Sequence, residues 1–149
     1  MIELTDDLKA RVRLHEGVRT QMYLDSLGKA TIGIGHLIKP HERERYAEGV
    51  EISMDEVEEL FEMDLNRAAA GAESLIKECI GHDLPPHIEE VILEMVFQLG
   101  TTGVSKFKKF WKALRVKDWK KASEEMKDSR WHSQTPKRCE SLAEIVANT

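Results

Sequence analysis

The longest stretch with one unbroken pattern lies between Ser53 and Lys77, and it constrains the fold more than any other part of the chain. Val57, Leu60, Phe61 and Leu65 recur at helical spacing behind Ser53 and Glu56, which together carry the signature of a capping box. About 24 residues of α-helix make a rod of about 36 Å. In a chain of 149 residues such a rod is longer than one compact lobe needs and suits a link between two. The sequence on either side of it differs in kind, as two lobes require.

Before the rod the pattern switches period. Thr5 is placed to cap a first helix, Asp6 and Asp7 suit its positive end, Leu4, Leu8 and Val12 share one side, and Gly17 supplies a stop, so the helix ends near Glu16. From Gln21 to Leu37, β-branched and aromatic residues surround turn-prone Asp25, Ser26 and Gly28, which predicts a small hairpin. The segment 39–51 is polar, charged and without period, and reads as a loop. After the rod the chain reads as helical throughout. Pro85 and Pro86 precede a run in which Ile88, Val91, Ile92, Met95, Val96 and Leu99 form a wide apolar face, the most buried helix expected. Shorter helices are predicted over 104–115, 119–126 and from Pro136 onward, with Thr135 as cap. There is no internal repeat and no low-complexity tract.

Composition excludes several classes. No stretch approaches the roughly 18 apolar residues of a membrane span, so no stable membrane insertion is expected. The N-terminus lacks the apolar run of a secretory signal, so the chain is expected to begin in the cytoplasm. Cys79 and Cys139 have neither CxxC nor Cys/His metal spacing and read as free thiols. No metal, nucleotide or flavin signature is present, and no cofactor is expected. The net charge of −5 hides an asymmetry: residues 1–66 hold 15 acidic and 8 basic side chains, residues 67–149 hold 12 and 14. Within the second part, residues 106–121 carry eight Lys or Arg against one Asp, with Phe107, Phe110, Trp111 and Trp119 interleaved. This is a helix with its aromatics in the core and its lysines solvated, a stripe that also suits an anionic polymer. Nucleic-acid binding would bring a basic net charge and a reader motif, and neither is found.

Glycosidic hydrolysis requires one carboxylic acid kept protonated for the leaving oxygen and one carboxylate kept ionised for water or sugar. Glu16, at the C-terminal end of a helix, sits where unpaired carbonyls disfavour its charge; Asp25, in a polar turn beside Ser26, sits where hydrogen bonds and water favour it. Thr31 offers a hydroxyl to hold the water. Taken alone, a Glu and an Asp nine residues apart are weak evidence among 27 acidic residues.

The longer string HEGVRTQMYLDSLGKATIGIGH closely resembles the active-site signature of phage lysozymes of the T-even type, glycoside hydrolase family 24, in Glu16, Gly17, Tyr23, Asp25, Gly28 and Thr31 to His36. MVFQLGTTGVSKF (95–107) and SRWHSQTPKRC (129–139) resemble the same family further on, and three ordered blocks span the chain. The resemblance implies an α+β, mainly α, lysozyme-like two-lobed fold in one domain: a small hairpin lobe over about 14–58, a linking helix over about 54–77, and a helical lobe over about 78–149 with 1–13. It implies an endolysin-type muramidase, with bacterial peptidoglycan as its partner, acting as a monomer. Such an enzyme waits in the host cytoplasm and reaches the wall after holin-type release.

By the same resemblance Glu16 is the general acid, Asp25 directs water at the anomeric carbon with inversion, and Thr31 positions that water. Arg138 matches a position whose guanidinium pairs with the acid. Gly35 and Leu37 fall on the saccharide side of the hairpin; Phe97, Gln98 and Trp131 fall on the cleft side of the large lobe. On the residues alone, Phe97 reads as core, Trp131 serves packing and cleft wall equally, and Gln98 is the stronger sugar contact. His36 reads as a structural partner, which the resemblance assigns to Asp64. The chain departs from the family in a shorter connection after His36, an earlier stop after Arg138, and Leu27 in place of an acidic residue near the cleft. The alternatives are a catalytically weak peptidoglycan-binding module on the same fold, and a basic helical protein using 106–121 on nucleic acid or membrane.

Overall fold

A computed structural model describes all 149 residues. The elements in chain order are α1 (Asp6–Glu16), β1 (Arg19–Leu24), β2 (Ala30–Gly33), β3 (His36–Leu37), a 3-10 turn (Pro40–Glu42), α2 (Met54–Cys79), α3 (Pro86–Ser105), α4 (Lys108–Arg115), α5 (Trp119–Lys127), α6 (Arg130–Gln134) and α7 (Pro136–Ala147). The fold class is α+β, mainly α, as expected. The chain divides into two compact units, Leu4–Asn66 and Arg67–Thr149 with Met1–Glu3. No helix is long and apolar enough to cross a membrane.

In the N-terminal unit the start and stop of α1 follow its sequence signals. Thr5 accepts a side-chain hydrogen bond from the Leu8 N–H at 3.1 Å, and Gly17, at φ 73°, donates its N–H to the Arg13 carbonyl at 2.8 Å. α1 lies within the N-terminal unit. Its Lys9 pairs with Glu62 at 3.7 Å and its Arg13 bonds Glu58, both on the first half of α2. The three strands form one antiparallel sheet in the order β1-β2-β3. Tyr23 pairs with Thr31 and Thr31 with Leu37, while Ile32 pairs with His36. Residues paired directly across an antiparallel ladder share a face, so Tyr23, Thr31 and Leu37 form one row and Ile32 and His36 lie on the other side.

The segment read as a featureless loop is ordered around two apolar anchors, the buried Tyr46 and Ile52. Ile52 donates its N–H to the Thr20 carbonyl at 2.9 Å. The Tyr46 hydroxyl bonds Glu56, and burial followed by that carboxylate pushes its pKa up to about 12. Ser53 accepts from the Glu56 N–H at 3.1 Å and starts α2 where its signature predicts.

The C-terminal unit is built on α3, in which Ile88, Val91, Ile92, Leu93, Met95 and Val96 are buried together with Glu94. The Glu94 carboxylate is paired there with Arg138 of α7, whose Nε donates to Oε2 at 2.9 Å. Gly100, at φ 81°, breaks the helical path before its last turn. The single helix predicted over 104–115 is two pieces, parted at Lys106 and Phe107. The indole N–H of Trp111 donates to the Val104 carbonyl at 3.0 Å, closing the end of the first piece from the second. A further short helix, α6, begins at Ser129, whose side chain accepts from the His132 N–H. Thr135 makes no cap bond with its side chain; its hydroxyl receives the Gln98 amide instead, at 3.1 Å. Both cysteines are free thiols, and burial pushes that of Cys139 up to about 11.

Candidate active site

Glu16 ends α1 and is half-buried. The chain turns at Gly17 and returns so that Gly35, between β2 and β3, faces its side chain. A Cβ on Gly35 would stand 2.6 Å from the Glu16 carboxyl carbon and closer still to Oε1. The absence of a side chain at 35 therefore makes the space the carboxyl occupies, and φ of 68° there also disfavours any L residue. Gly35→Ala is expected to destabilise the fold by about 1–2 kcal/mol, because the added Cβ must displace the Glu16 carboxyl. Denaturant melts of the two proteins check it.

Asp25 follows β1 and organises the hairpin turn. Its Oδ1 accepts from the N–H groups of Leu27 at 2.9 Å and Lys29 at 2.8 Å. Its own N–H donates to the Lys29 carbonyl at 2.9 Å. Thr31, 3% exposed on β2, donates its hydroxyl to that same carbonyl at 3.0 Å. One oxygen thus fixes both groups, and the Asp25 nitrogen and Thr31 hydroxyl lie no more than about 6 Å apart. Because side chains alternate along a strand, Asp25 continues the face of Tyr23, the face of Thr31 and Leu37. Leu37, on the edge strand, also lines a groove of about 820 Å³ together with Met22, Leu24 and Ile38.

Tyr23 lies in the field of both carboxyls. Its phenol is held above its ordinary pKa by burial first, then by the negative charge of Glu16 and of Asp25, with Arg19 opposing. The Arg19 guanidinium lies over its ring, 4.7 Å from the centroid. Glu16 and Asp25 therefore both act on one side chain of the sheet. Tyr23 belongs to the sequence signature, but only its register with Thr31 gives it this place.

The other residues named from the sequence belong to the C-terminal unit. Gln98 is fixed at both ends of its amide: Nε2 donates to Thr135, and Oε1 accepts the Trp131 indole N–H at 2.9 Å. Trp131 is 2% exposed and packs edge-on against Phe107. Phe97 is half-buried on α3, and Arg138 is the buried partner of Glu94.

Comparison with known proteins bears on this arrangement. The family model described as phage lysozyme matches residues 13–144. The chain belongs to the phage lysozyme family. Relatives include Probable T4-type lysozyme 2 of Dictyostelium discoideum, 37% identical over 153 residues, covering 91% of this chain and 90% of the relative. Probable T4-type lysozyme 1 of the same organism is 34% identical over 162 residues, covering 96% and 95%. The pre-baseplate central spike protein Gp5 of Enterobacteria phage T4 is 33% identical over 152 residues, 91% of this chain but 26% of that protein. As a member of the phage lysozyme family the chain is a glycoside hydrolase, and the matched region contains every site residue named above.

In this family member His36 occupies the face of the sheet opposite Tyr23 and Thr31. It is 2% exposed, with Nδ1 2.8 Å from Asp64 Oδ2 on α2 and Nε2 3.1 Å from Glu42 Oε1. Asp64 is the partner the resemblance implied; Glu42, in the segment read as a loop, is an additional one. Burial works against the imidazolium, but hydrogen bonds and negative charge from Asp64 and Glu42 outweigh it, and His36 titrates above its ordinary value. The stability this brings is whole below about pH 6.5 and is lost as pH rises through the folded pKa. Glu42 runs the opposite way: its pKa is lowered, so its contribution is lost as pH falls below about 4.5. From pH 6 to 9 the Tm of the wild type is expected to fall more steeply than that of His36→Gln. Parallel declines in calorimetry would remove His36 as the linked group.

Proposed function

We propose that the chain is a muramidase that hydrolyses the β-1,4 bond between N-acetylmuramic acid and N-acetylglucosamine in peptidoglycan. Family membership supports the reaction class. The observation that carries the assignment of residues is geometric: the Lys29 carbonyl is shared by the Asp25 N–H and the Thr31 hydroxyl, and Glu16 is seated against Gly35 of the same hairpin.

In this reading Glu16 donates its proton to the glycosidic oxygen as the bond to the anomeric carbon breaks. Asp25, with Oδ1 held by two amides, takes a proton from water, and the water oxygen bonds the anomeric carbon from the opposite face. The hydroxyl hydrogen of Thr31 is engaged by the Lys29 carbonyl, which leaves its oxygen to accept from that water and aim it. The product carries the inverted anomeric configuration, and proton exchange with solvent restores both carboxyls. Gly35 and Leu37 of the hairpin are assigned to the saccharide; for Phe97, Gln98 and Arg138 that assignment comes from the family resemblance alone. Trp131, with its indole N–H on Gln98, is assigned to orienting that amide.

Digestion of purified peptidoglycan followed by borohydride reduction tests the bond cleaved. Muramitol is the expected new reduced end; glucosaminitol would replace the reading with a glucosaminidase, and binding without cleavage would leave only a wall-binding module. Proton NMR in the first minutes tests the stereochemistry, with the α anomer expected first and the β anomer sinking the role of Asp25 as base.

A further inference from the structure

The outward side of α4 carries nothing but cations. Of its eight residues Phe110, Trp111, Ala113 and Leu114 are buried, and the four that remain exposed are Lys108, Lys109, Lys112 and Arg115. At 100° per residue these four fall within an arc of about 120°, and at 1.5 Å per residue they extend along about 10 Å of axis. α4 itself places no carboxylate in that arc, while Glu125, paired with Lys121 at 3.2 Å, and Asp128 line a groove shared with Lys108 and Lys109; Lys108 and Lys112 stand as a like-charged pair one turn apart, an arrangement that opposes the helix. Arg115 has one internal task, an Nε bond to the Cys79 carbonyl at 2.9 Å. Exposed Lys106 and Lys117 extend the charge beyond both ends. In a chain of net charge −5 this concentration is local, and its repulsion is relieved when a polyanion covers it.

The fold selects among polyanions. A membrane-seated amphipathic helix needs an apolar face to insert, but the apolar face of α4 is committed to the core, with Phe110 1% and Trp111 2% exposed. Three of the four cations are ammonium groups, compact charges that suit phosphate without requiring the paired geometry of carboxylate recognition. Resting on the muramidase reading, which brings this surface to the cell wall, we propose that the outward face of α4 binds a phosphodiester polymer carried on peptidoglycan. The polymer holds the enzyme on its substrate without entering the chemistry.

The test is pelleting in the cold with two preparations of one bacterial wall, native and stripped of phosphate polymer by hydrofluoric acid. The wild type is expected to bind the native wall at least tenfold more tightly. With four contacts at about 0.7 counterions each, raising salt from 50 to 200 mM is expected to weaken that binding about 50-fold. Lys108→Gln/Lys109→Gln/Lys112→Gln, changed only at exposed positions and to a residue of similar helix propensity, is expected to keep its melting temperature and bind both walls alike. Fragment release from stripped walls is expected to be equal for the two proteins; no release by either would sink the muramidase reading, whatever the pelleting shows. Equal binding of native wall by wild type and triple variant overturns the inference, as does tighter retention of the wild type by anionic vesicles or duplex DNA than by native wall.

Discussion

Glu16→Gln is expected to yield a folded protein that digests peptidoglycan about a thousandfold more slowly. Loss of a general acid costs on the order of a hundred- to ten-thousandfold. Glutamine preserves the volume that Gly35 leaves for the side chain, so the effect falls on the proton alone. Stability is expected to change little, because Gln fills the space beside Gly35 that the carboxyl occupies. Fragment release and thermal melts on one preparation check both statements. A variant that digests peptidoglycan at the wild-type rate would show that Glu16 is not the acid.

Asp25→Asn separates chemistry from architecture at the second carboxyl. Asn keeps an Oδ1 that accepts from the Leu27 and Lys29 amides, so the turn is expected to persist with a Tm near that of the wild type. What is removed is the base, and hydrolysis is expected to fall at least a hundredfold. Asp25→Ala removes the acceptor as well and is expected to destabilise by about 1–2 kcal/mol in addition. If Asp25→Asn retains hydrolysis within tenfold while Asp25→Ala does not, Asp25 is an anchor of the turn and the base lies elsewhere.

Local signals told most where they act through the backbone. Thr5 and Gly17 bound α1 because capping and positive φ are short-range demands, and Ser53 opens α2 for the same reason. The candidate carboxyls were legible through the string around them more than through their spacing, since nine residues along a chain fix no distance. Features made by tertiary packing were not legible. Tyr46 and Ile52 order a segment whose charged neighbours mask them, and Glu42 reaches His36 only because the chain folds back there. The break between α3 and α4 is closed by the Trp111 indole, a contact no helical period encodes. Ser129 was a readable cap for α6, but five residues are too few to show a period. The place of Thr135 before Pro136 predicts a cap, but its hydroxyl serves Gln98 instead.

The carbonyl of Lys29, shared by the Asp25 amide and the Thr31 hydroxyl, makes the hairpin intolerant of insertions and deletions. Adding or removing one residue between 25 and 30 would reverse the parity of the second strand and turn Thr31 to the opposite side of the sheet. The stretch after Leu37 is under no such requirement, because what it must deliver is two apolar anchors and one carboxylate. Length variation among natural or engineered versions should therefore accumulate there, while the hairpin keeps its reading frame.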